Sequence, residues 1–173
     1  MTGFDRAADR VLEPLRTNAA TKRVFAVASR VGDFSVVWHV IGLVRAIGSF
    51  DRLQQAVALS AALGVESLVV NQGIKRIFRR ERPTLSGDDR FTVRTPSTSS
   101  FPSGHASSAV FAAIILGSFT GAPLVFVWTA IALVVALSRV VVRIHHLSDI
   151  VGGIVTGAVL GTVAVPVVAR FLG

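Results

Sequence analysis

Two histidines and an aspartate in the last third of the chain have the types and spacing of a nucleophilic site. His145 and His146 precede Asp149 by four and three residues, within the segment SRVVVRIHHLSD. On a shared helix, the carboxylate can accept a hydrogen bond from one ring nitrogen and leave a lone pair on the other. An imidazole held in that way is a nucleophile. Spacing alone does not choose between the two histidines.

Basic residues with helical spacing could hold a multiply charged anion. Lys75, Arg79 and Arg82 share one face if the segment KRIFRRERP is helical, and Pro83 predicts that the helix ends at Arg82. Arg139 lies six residues before His145. Because like charges repel, such a cluster favours an anion among them. A basic loop that touches anionic lipid headgroups is the alternative for the first cluster taken alone.

The segment FPSGH has the pattern of a helix N-terminus that binds an anion. Ser103 is a good N-cap, Gly104 permits close backbone approach, and the free amides and helix dipole favour negative charge. His105 would then stand in the first turn. An ordinary interfacial histidine is the alternative interpretation of that residue.

The composition places these residues in a membrane protein. Apolar residues make up 51% of the 173 residues, and two long runs, 95–138 and 150–169, contain no Lys, Arg, Asp or Glu. The formal charge of +8 indicates acidic partners such as phosphate or lipid headgroups, and the basic residues flank apolar runs instead of forming a nucleic-acid-binding face. The absence of cysteine excludes disulfides, thiolate metal sites and thiolate nucleophiles.

Five apolar segments predict an all-α, multi-pass transmembrane helix bundle that forms one domain over residues 1–173. The first is the weakest, since it carries His39 and Arg45. Residues 1–33 before it read as an amphipathic segment at the membrane interface, whose helix Pro14 bends; an ordinary surface helix is the alternative. The five predicted spans are Phe34 to Gly48, Leu53 to Ile74, His105 to Thr120, Leu124 to Val142 and Ser148 to Ala169.

Counting spans brings the polar clusters to one side of the membrane. The segment 75–104 is predicted to be an active-site loop between the second and third spans, and the fourth span returns to the same face near Arg139. Three cations around one anion suit a tetrahedral oxyanion. No His or carboxylate cluster in the sequence has the spacing of a zinc or two-metal site, so the residues favour phosphoryl transfer without a metal or other cofactor.

These motifs resemble the type 2 phosphatidic acid phosphatase family, which includes membrane lipid phosphatases, bacterial acid phosphatases and vanadium haloperoxidases. The family's Lys, six residues, Arg-Pro is present as Lys75 to Pro83. Its Pro-Ser-Gly-His is present as Pro102 to His105, and its Ser-Arg, five residues, His, three residues, Asp as Ser138 to Asp149. Every spacing matches.

The resemblance implies a role for each motif residue. His145, chosen by its distance from both Arg139 and Asp149, would attack phosphorus and carry a phosphohistidine, while Asp149 would orient it. His105 would protonate the leaving alkoxide and then deprotonate the attacking water. The phosphate oxygens would be held by Lys75, Arg82, Ser103, Gly104 and Arg139.

The chain departs from many membrane members of the family in having five predicted spans instead of six. With the amphipathic segment on the motif face, the positive-inside rule favours a cytoplasmic site, whereas the resemblance implies the outer side. The count of charges favours the cytoplasmic side of the cell membrane. On this five-span arrangement Gly173 lies on the opposite side from the site.

The expected function is therefore an integral membrane phosphatase that acts on a lipid or isoprenoid phosphate in the bilayer. A polyprenyl-linked sugar phosphate and a polyprenyl diphosphate are alternative substrates. A haloperoxidase is disfavoured because those relatives are large soluble proteins. A non-catalytic anion transporter or scaffold is the alternative of another class, but permeation needs no nucleophile.

Overall fold

The computed structural model describes residues 2–84, 90–91, 93–94 and 96–173, and the regular structure in those ranges is helical. A 3₁₀ turn, Asp33–Ser35, joins α2 to α3, and a π-helix, Val69–Ile74, joins α4 to α5. The all-α prediction is confirmed. The helices are α1 Gly3–Thr17, α2 Ala19–Val31, α3 Val36–Ala46, α4 Phe50–Leu68, α5 Lys75–Ile77, α6 Gly104–Thr120, α7 Leu124–Val141 and α8 Leu147–Leu172.

Within the described ranges, three helices are long and apolar enough to cross a membrane, and a bent pair makes a fourth candidate. The three are α7, α8 and the continuous segment Phe50–Ile77, which consists of α4, the π-helix and α5. The bent pair is α2 with the segment Asp33–Ala46, at an angle of 70°. The multi-pass class is confirmed, with three or four candidate spans of full length where about five were predicted. The first predicted span contains only the 11 residues of α3, and α6 has only 17.

The N-terminal segment forms two helices, and α1 does not end at the predicted bend. It continues through Pro14 to Thr17, and the break falls at Asn18, whose side chain caps α2. Arg16 is fully buried and donates to the carbonyls of Val140 and Val141 at 3.1 and 2.9 Å. These carbonyls belong to the last turn of α7, where helical partners are missing. Thus α1 packs on the end of α7 and does more than cover the membrane interface.

Helix α6 lies at the centre of the bundle and packs against α4, α7 and α8. Glycines of α8 allow its close approach to α6. A Cβ on Gly157 would lie 2.2 Å from the carbonyl oxygen of Ser107, and one on Gly153 would lie 2.5 Å from that of Ser103. Backbone atoms cannot move aside at such distances, so only glycine fits at these two positions. Their packing holds the beginnings of α6 and α8 together.

The helix that carries Lys75 ends at Ile77, five residues before the end that Pro83 predicts. Phe78 is extended, and its ring packs edge-on against Phe101 with centroids 4.8 Å apart. The next residues bond to the segment before α6, since Ser100 N donates to the Arg80 carbonyl at 2.9 Å. These tertiary contacts outweigh the local helical propensity. The expectation that Lys75, Arg79 and Arg82 share a helical face is therefore wrong.

Candidate active site

The predicted site residues meet at one end of the bundle, where α4, α6, α7 and α8 begin or end. Ser103 N donates to the Asp149 carbonyl at 3.0 Å, which joins the first residue before α6 to the first turn of α8. A cavity of about 540 Å³ is lined by Lys75, Gly104, His105 and His145. These four residues, which are up to 70 positions apart in the sequence, thus line the same cavity.

His145 contacts Asp149, although the two residues do not share a helix as the spacing predicted. Helix α8 begins at Leu147, and Asp149 in its first turn accepts from His146 N at 2.8 Å, which caps the helix. His145 lies in the preceding turn, and its Nδ1 is 3.5 Å from Asp149 Oδ2. Arg143, with φ of +57°, turns the backbone there. Asp149 is fully buried.

The other ring nitrogen of His145 is an acceptor. Arg82 Nη1 lies 3.1 Å from Nε2, and a guanidinium can only donate, so Nε2 holds a lone pair and Nδ1 carries the proton towards Asp149. Burial lowers the pKa of His145 well below its ordinary value, and the charges of Arg82 and Arg139 act in the same direction; the bond to Asp149 opposes them. The imidazole is neutral at pH 7. It has the protonation state of a nucleophile.

Arg139 is buried with part of its hydrogen-bonding capacity unused. Its side chain is 0% exposed, and Nη1 donates to Ser29 Oγ. Among the described residues, its Nε and Nη2 have no hydrogen-bond partner. A buried guanidinium with unpaired donors is costly unless an anion meets it. The free donors leave this side chain able to bind an anion.

Lys75 and Arg82 add two more cations, one at the start of α6 and one beside the His145 ring. Lys75 is buried, and its Nζ lies 3.4 Å from where a Cβ on Gly104 would stand. Arg82 is held in place by three carbonyls that accept from it, those of Pro96 and Thr98 at 3.0 Å and Ile144 at 3.1 Å. An anion at the start of α6 would meet Lys75, and one at His145 Nε2 would meet Arg82.

The start of α6 has the expected cap. Ser103 is buried and its Oγ accepts from Ala106 N at 3.4 Å. His105 lies in the first turn, and its Nε2 is 3.2 Å from both Asp33 Oδ1 and the Ser29 carbonyl. Gly32 packs on the same ring, because a Cβ there would lie 2.7 Å from His105 Cδ2. The junction of α2 and α3 thus holds this histidine.

The cavity extends beyond the residues that could hold an anion. Its other walls come from α3, α4 and the π-helix, and polar side chains there form local pairs: His39 with Ser60 at 2.8 Å and Asn71 with Ser67 at 3.0 Å. Asn71 also borders the start of α6, since its Oδ1 lies 3.4 Å from where a Cβ on Gly104 would stand. The volume lies within the range of about 300–1,000 Å³ that small-molecule sites have. Further polar side chains that line it are Glu66, Gln72, Arg94, Thr98 and Ser108.

Sequence reasoning missed several polar residues of the site. Arg80 Nη1 contacts Asp149 Oδ1 at 2.7 Å, and Ser100 Oγ donates to Asp149 Oδ2. Asp33 and Ser29 hold His105 and Arg139. The helical interpretation selected Arg79, which is exposed, whereas in an extended chain Arg80 and Arg82 share a face. The preference for extended backbone before Pro83 could have predicted that Arg80 points to the same side as Arg82. No sequence pattern predicts that Asp33 and Ser29 belong to the site.

Within the part of the chain that the structure describes, no three His, Asp or Glu side chains are grouped as ligands for a metal ion. The convergent polar groups are instead cations, histidines, a carboxylate and helix amides. This set can bind a tetrahedral oxyanion, attack its central atom and transfer protons.

Comparisons with known proteins agree on one family. The model of the PAP2 superfamily matches residues 55–172. The decaprenylphosphoryl-5-phosphoribose phosphatase of Mycobacterium tuberculosis is 34% identical over 135 residues, 78% of this chain and 73% of that protein. The enzyme of that name from Mycolicibacterium smegmatis is 38% identical over 130 residues, 72% of this chain and 67% of its own.

A solved structure has the same fold. The crystal structure of a transmembrane PAP2-type phosphatidylglycerolphosphate phosphatase from Bacillus subtilis superposes with a TM-score of 0.66 at 22% sequence identity. The match covers 98% of this chain and 87% of that one. It therefore includes the N-terminal helices, which lie outside the residues that the family model matches.

Proposed function

Because this chain belongs to the PAP2 superfamily, we propose that its site hydrolyses a phosphate monoester on a membrane lipid through a phosphohistidine at His145. The chain is a membrane phosphatase by its family and its helices. The proposed chemistry is carried by a neutral His145 imidazole whose Nε2 accepts from Arg82, in a site where buried Arg139 has unpaired donors. A phosphate there would accept from the unpaired donors of Arg139 and from Arg82 Nη1, and the Nε2 lone pair, released by Arg82, would then be free to attack phosphorus.

In the first half-reaction, His145 Nε2 attacks phosphorus and forms the N–P bond while the bond from phosphorus to the lipid oxygen breaks. Asp149 stabilises the positive charge that develops on the imidazole. His105 donates a proton to the leaving alkoxide, which departs as an alcohol. In the second half-reaction, His105 takes a proton from water, the hydroxide attacks phosphorus, and phosphate leaves as the N–P bond breaks. His105 and His145 are then in their starting states.

The remaining residues hold the phosphate and stabilise its transition-state charge. The three cations Lys75, Arg82 and Arg139 surround the site, and Ser103 and the Gly104 amide contribute neutral donors at the helix N-terminus. In a site that excludes water, one such donor contributes about 3 kcal/mol to transition-state stabilisation. The reaction is proposed to need no metal ion, since the chain's own cations supply the charge.

For the substrate, we favour a polyprenyl-linked sugar phosphate over a phosphatidate or a polyprenyl diphosphate. The curated relatives are named for a decaprenyl-linked phosphoribose. The cavity supports this choice because it extends beyond the phosphate-binding residues and is lined by polar side chains of α3, α4 and the π-helix, including His39, Ser60 and Asn71. Hydroxyl, amide and imidazole groups are suited to a sugar's hydroxyls. The apolar tail would stay in the bilayer beside α3 and α4.

The proposed location is the cell membrane, with the site on its cytoplasmic face. Exposed cations of α1 and α2 lie at the site end of the bundle, where the positive-inside rule counts them. These residues are Arg6, Arg10, Arg23 and Arg30.

Trapping the covalent intermediate tests the proposal. Detergent-purified protein is mixed in EDTA with ³²P-labelled polyprenyl phosphoribose and quenched within milliseconds. We expect protein-bound label that is stable in alkali and released by acid, as a phosphoramidate is, and no label on the His145→Ala variant. Phosphate release from the lipid without label on the wild-type chain would contradict the phosphohistidine, and no phosphate release from any lipid phosphate would favour the transporter or scaffold interpretation.

A further inference from the structure

An aspartate of the N-terminal helix is buried next to the proposed catalytic groups. Asp5 in α1 is 2% exposed. Its Oδ1 accepts from Ser148 N at 3.0 Å and from Ser148 Oγ at 2.7 Å, and its Oδ2 accepts from Arg80 Nη2 at 2.7 Å. Ser148 directly precedes Asp149. Asp5 also caps α1, since its Oδ2 accepts from Thr2 N and Thr2 Oγ1, but this cap does not require the contacts with Ser148 and Arg80.

Arg80 bridges two carboxylates with its two terminal nitrogens. Nη2 is bonded to Asp5, and Nη1 donates to Asp149 Oδ1 at 2.7 Å and to Ser148 Oγ at 2.8 Å. Both carboxylates are fully buried and the guanidinium is about a quarter exposed. Charge-assisted bonds of this length fix the geometry of both partners.

The bond from Arg80 sets the direction of the Asp149 carboxylate. Oδ1 is used by Arg80, while Oδ2 accepts from Ser100 Oγ and from His146 N and faces His145 Nδ1. With each oxygen held separately, the carboxylate plane cannot rotate away from the imidazole. Arg80 therefore orients the group that orients His145.

Charge explains why Asp5 is needed as well. A lone guanidinium on Asp149 would cancel its negative charge and make His145 less basic and less nucleophilic. Asp5 offsets the charge of Arg80, so the three side chains together keep a net charge of −1 beside the imidazole. The hydrogen bonds from Ser148 and Thr2 hold the pKa of Asp5 far below its ordinary value against the effect of burial, so it stays ionised.

We propose that Asp5 and Arg80 are positioning residues of the phosphatase reaction, which orient Asp149 and preserve its charge towards His145. The inference rests on the proposed phosphohistidine function. It gives the N-terminal helix a part in catalysis, although Asp5 lies outside residues 55–172 that the family model matches. The alternative is that Asp5 only fastens α1 to the bundle.

Another acidic residue of α1 is a matched control for that alternative. Glu13 is bonded to Arg16 at 3.0 Å and to Arg90 at 2.6 Å, so it also fastens α1, but these contacts do not include Asp149. Glu13→Gln removes the same charge from the same helix as Asp5→Asn. Because Asp5 is buried and Glu13 is half exposed, a purely structural role predicts a larger loss of Tm for Asp5→Asn and no loss of kcat in the folded protein for either variant.

The experiment measures kcat and KM for lipid phosphate hydrolysis, inhibition by inorganic phosphate and the Tm of each variant in detergent. We expect Asp5→Asn and Arg80→Gln each to lower kcat about tenfold or more, because a small misorientation in a site costs this much. KM and phosphate inhibition should change by less than about twofold, and the double variant should be no slower than Arg80→Gln, since both act through Asp149. Glu13→Gln should keep the wild-type kcat.

The proposal is overturned if Asp5→Asn or Arg80→Gln keeps kcat within twofold of the wild type, or if Glu13→Gln loses as much kcat as Asp5→Asn. If Asp5→Asn or Arg80→Gln does not fold, Arg80→Lys decides, because it keeps a cation between the two buried carboxylates and removes only the bridge by two guanidinium nitrogens. Its kcat should fall as well, and a kcat within twofold of the wild type would overturn the proposal. Wild-type activity and the His145→Ala variant in the same assay test the proposed function separately. An active wild type with an unaffected Arg80→Gln would refute the positioning role alone.

Discussion

His145 meets Asp149 from outside the helix that carries the aspartate. Their closest approach, 3.5 Å between Nδ1 and Oδ2, is made across the turn that precedes α8. A spacing of four residues would give neighbours on a helix as well, so the same motif fits two backbone geometries. In the observed one, Asp149 both caps α8 through His146 N and faces the imidazole. The start of the helix and the orientation of the nucleophile depend on one carboxylate.

The tautomer and charge of His145 follow from this arrangement. We predict a neutral ring with its proton on Nδ1, and a pKa below the ordinary 6.5 because of burial and the nearby cations. Since attack needs the neutral form, protonation of this residue should impair the enzyme only at pH well below 6.5. Histidine ¹⁵N NMR of the detergent-solubilised chain measures both properties, with His145→Ala for assignment. Titration at or above pH 6.5 would contradict the prediction.

We expect Arg139 to lower the thermal stability of the protein although it is needed to bind phosphate. Arg139→Met removes a buried charge with unpaired donors, so we expect Tm to rise in phosphate-free buffer while kcat/KM falls by a factor on the order of 10² or more. Inorganic phosphate should raise the Tm of the wild type through binding and leave that of the variant nearly unchanged. A variant with lower Tm and wild-type protection by phosphate would show that the guanidinium is structural.

Close packing of α8 on α6 predicts a sharp difference between two glycines. Gly157→Ala places a Cβ 2.2 Å from a backbone oxygen, and the separation of helices that relieves this should lower stability by about 1–3 kcal/mol. Gly64→Ala is the control, since no atom lies within 4 Å of its Cβ. Thermal unfolding in detergent checks both variants. Equal Tm values for the two would show that α8 does not need this close approach.

Much of the fold could be predicted because lipid imposes a uniform apolar requirement. The predicted spans Leu53 to Ile74 and Leu124 to Val142 differ by at most three residues at either end from Phe50–Ile77 and Leu124–Val141. The junction of α2 and α3 could not be predicted in this way. There Phe34 and Ser35 adopt positive φ, which neither residue type signals, and the resulting bend leaves α3 too short to be a span alone.

Site residues could be predicted from the sequence when they lie within one short motif. They could not be predicted when the contact joins segments that are far apart in the chain. His105, His145 and Asp149 lie in short motifs whose spacing carries the chemistry. Arg80 has a role only because it reaches both Asp5 and Asp149, which are 75 and 69 residues away. The six-residue π-helix between α4 and Lys75 is likewise not predicted by any residue pattern in the sequence.

Topology gives a prediction that is independent of catalysis. With the site on the cytoplasmic face and the C-terminal end of α8 at the opposite end of the bundle, Gly173 should lie outside the cytoplasm. Paired reporters fused to the C-terminus, one active only in the cytoplasm and one only outside it, measure this. Activity of the cytoplasmic reporter would place the site on the outer side.

The central claim is that His145 carries the phosphoryl group. The most direct measurement is phosphate release from a polyprenyl-linked sugar phosphate in EDTA by the wild type, His145→Ala and the neighbouring control His146→Ala. We expect chelator-resistant activity that His145→Ala lowers by a factor on the order of 10³ or more. His146→Ala should keep most of it, since the backbone N of residue 146, which the substitution leaves in place, bonds to Asp149. Full activity of His145→Ala, or equal losses in both variants, would contradict the account.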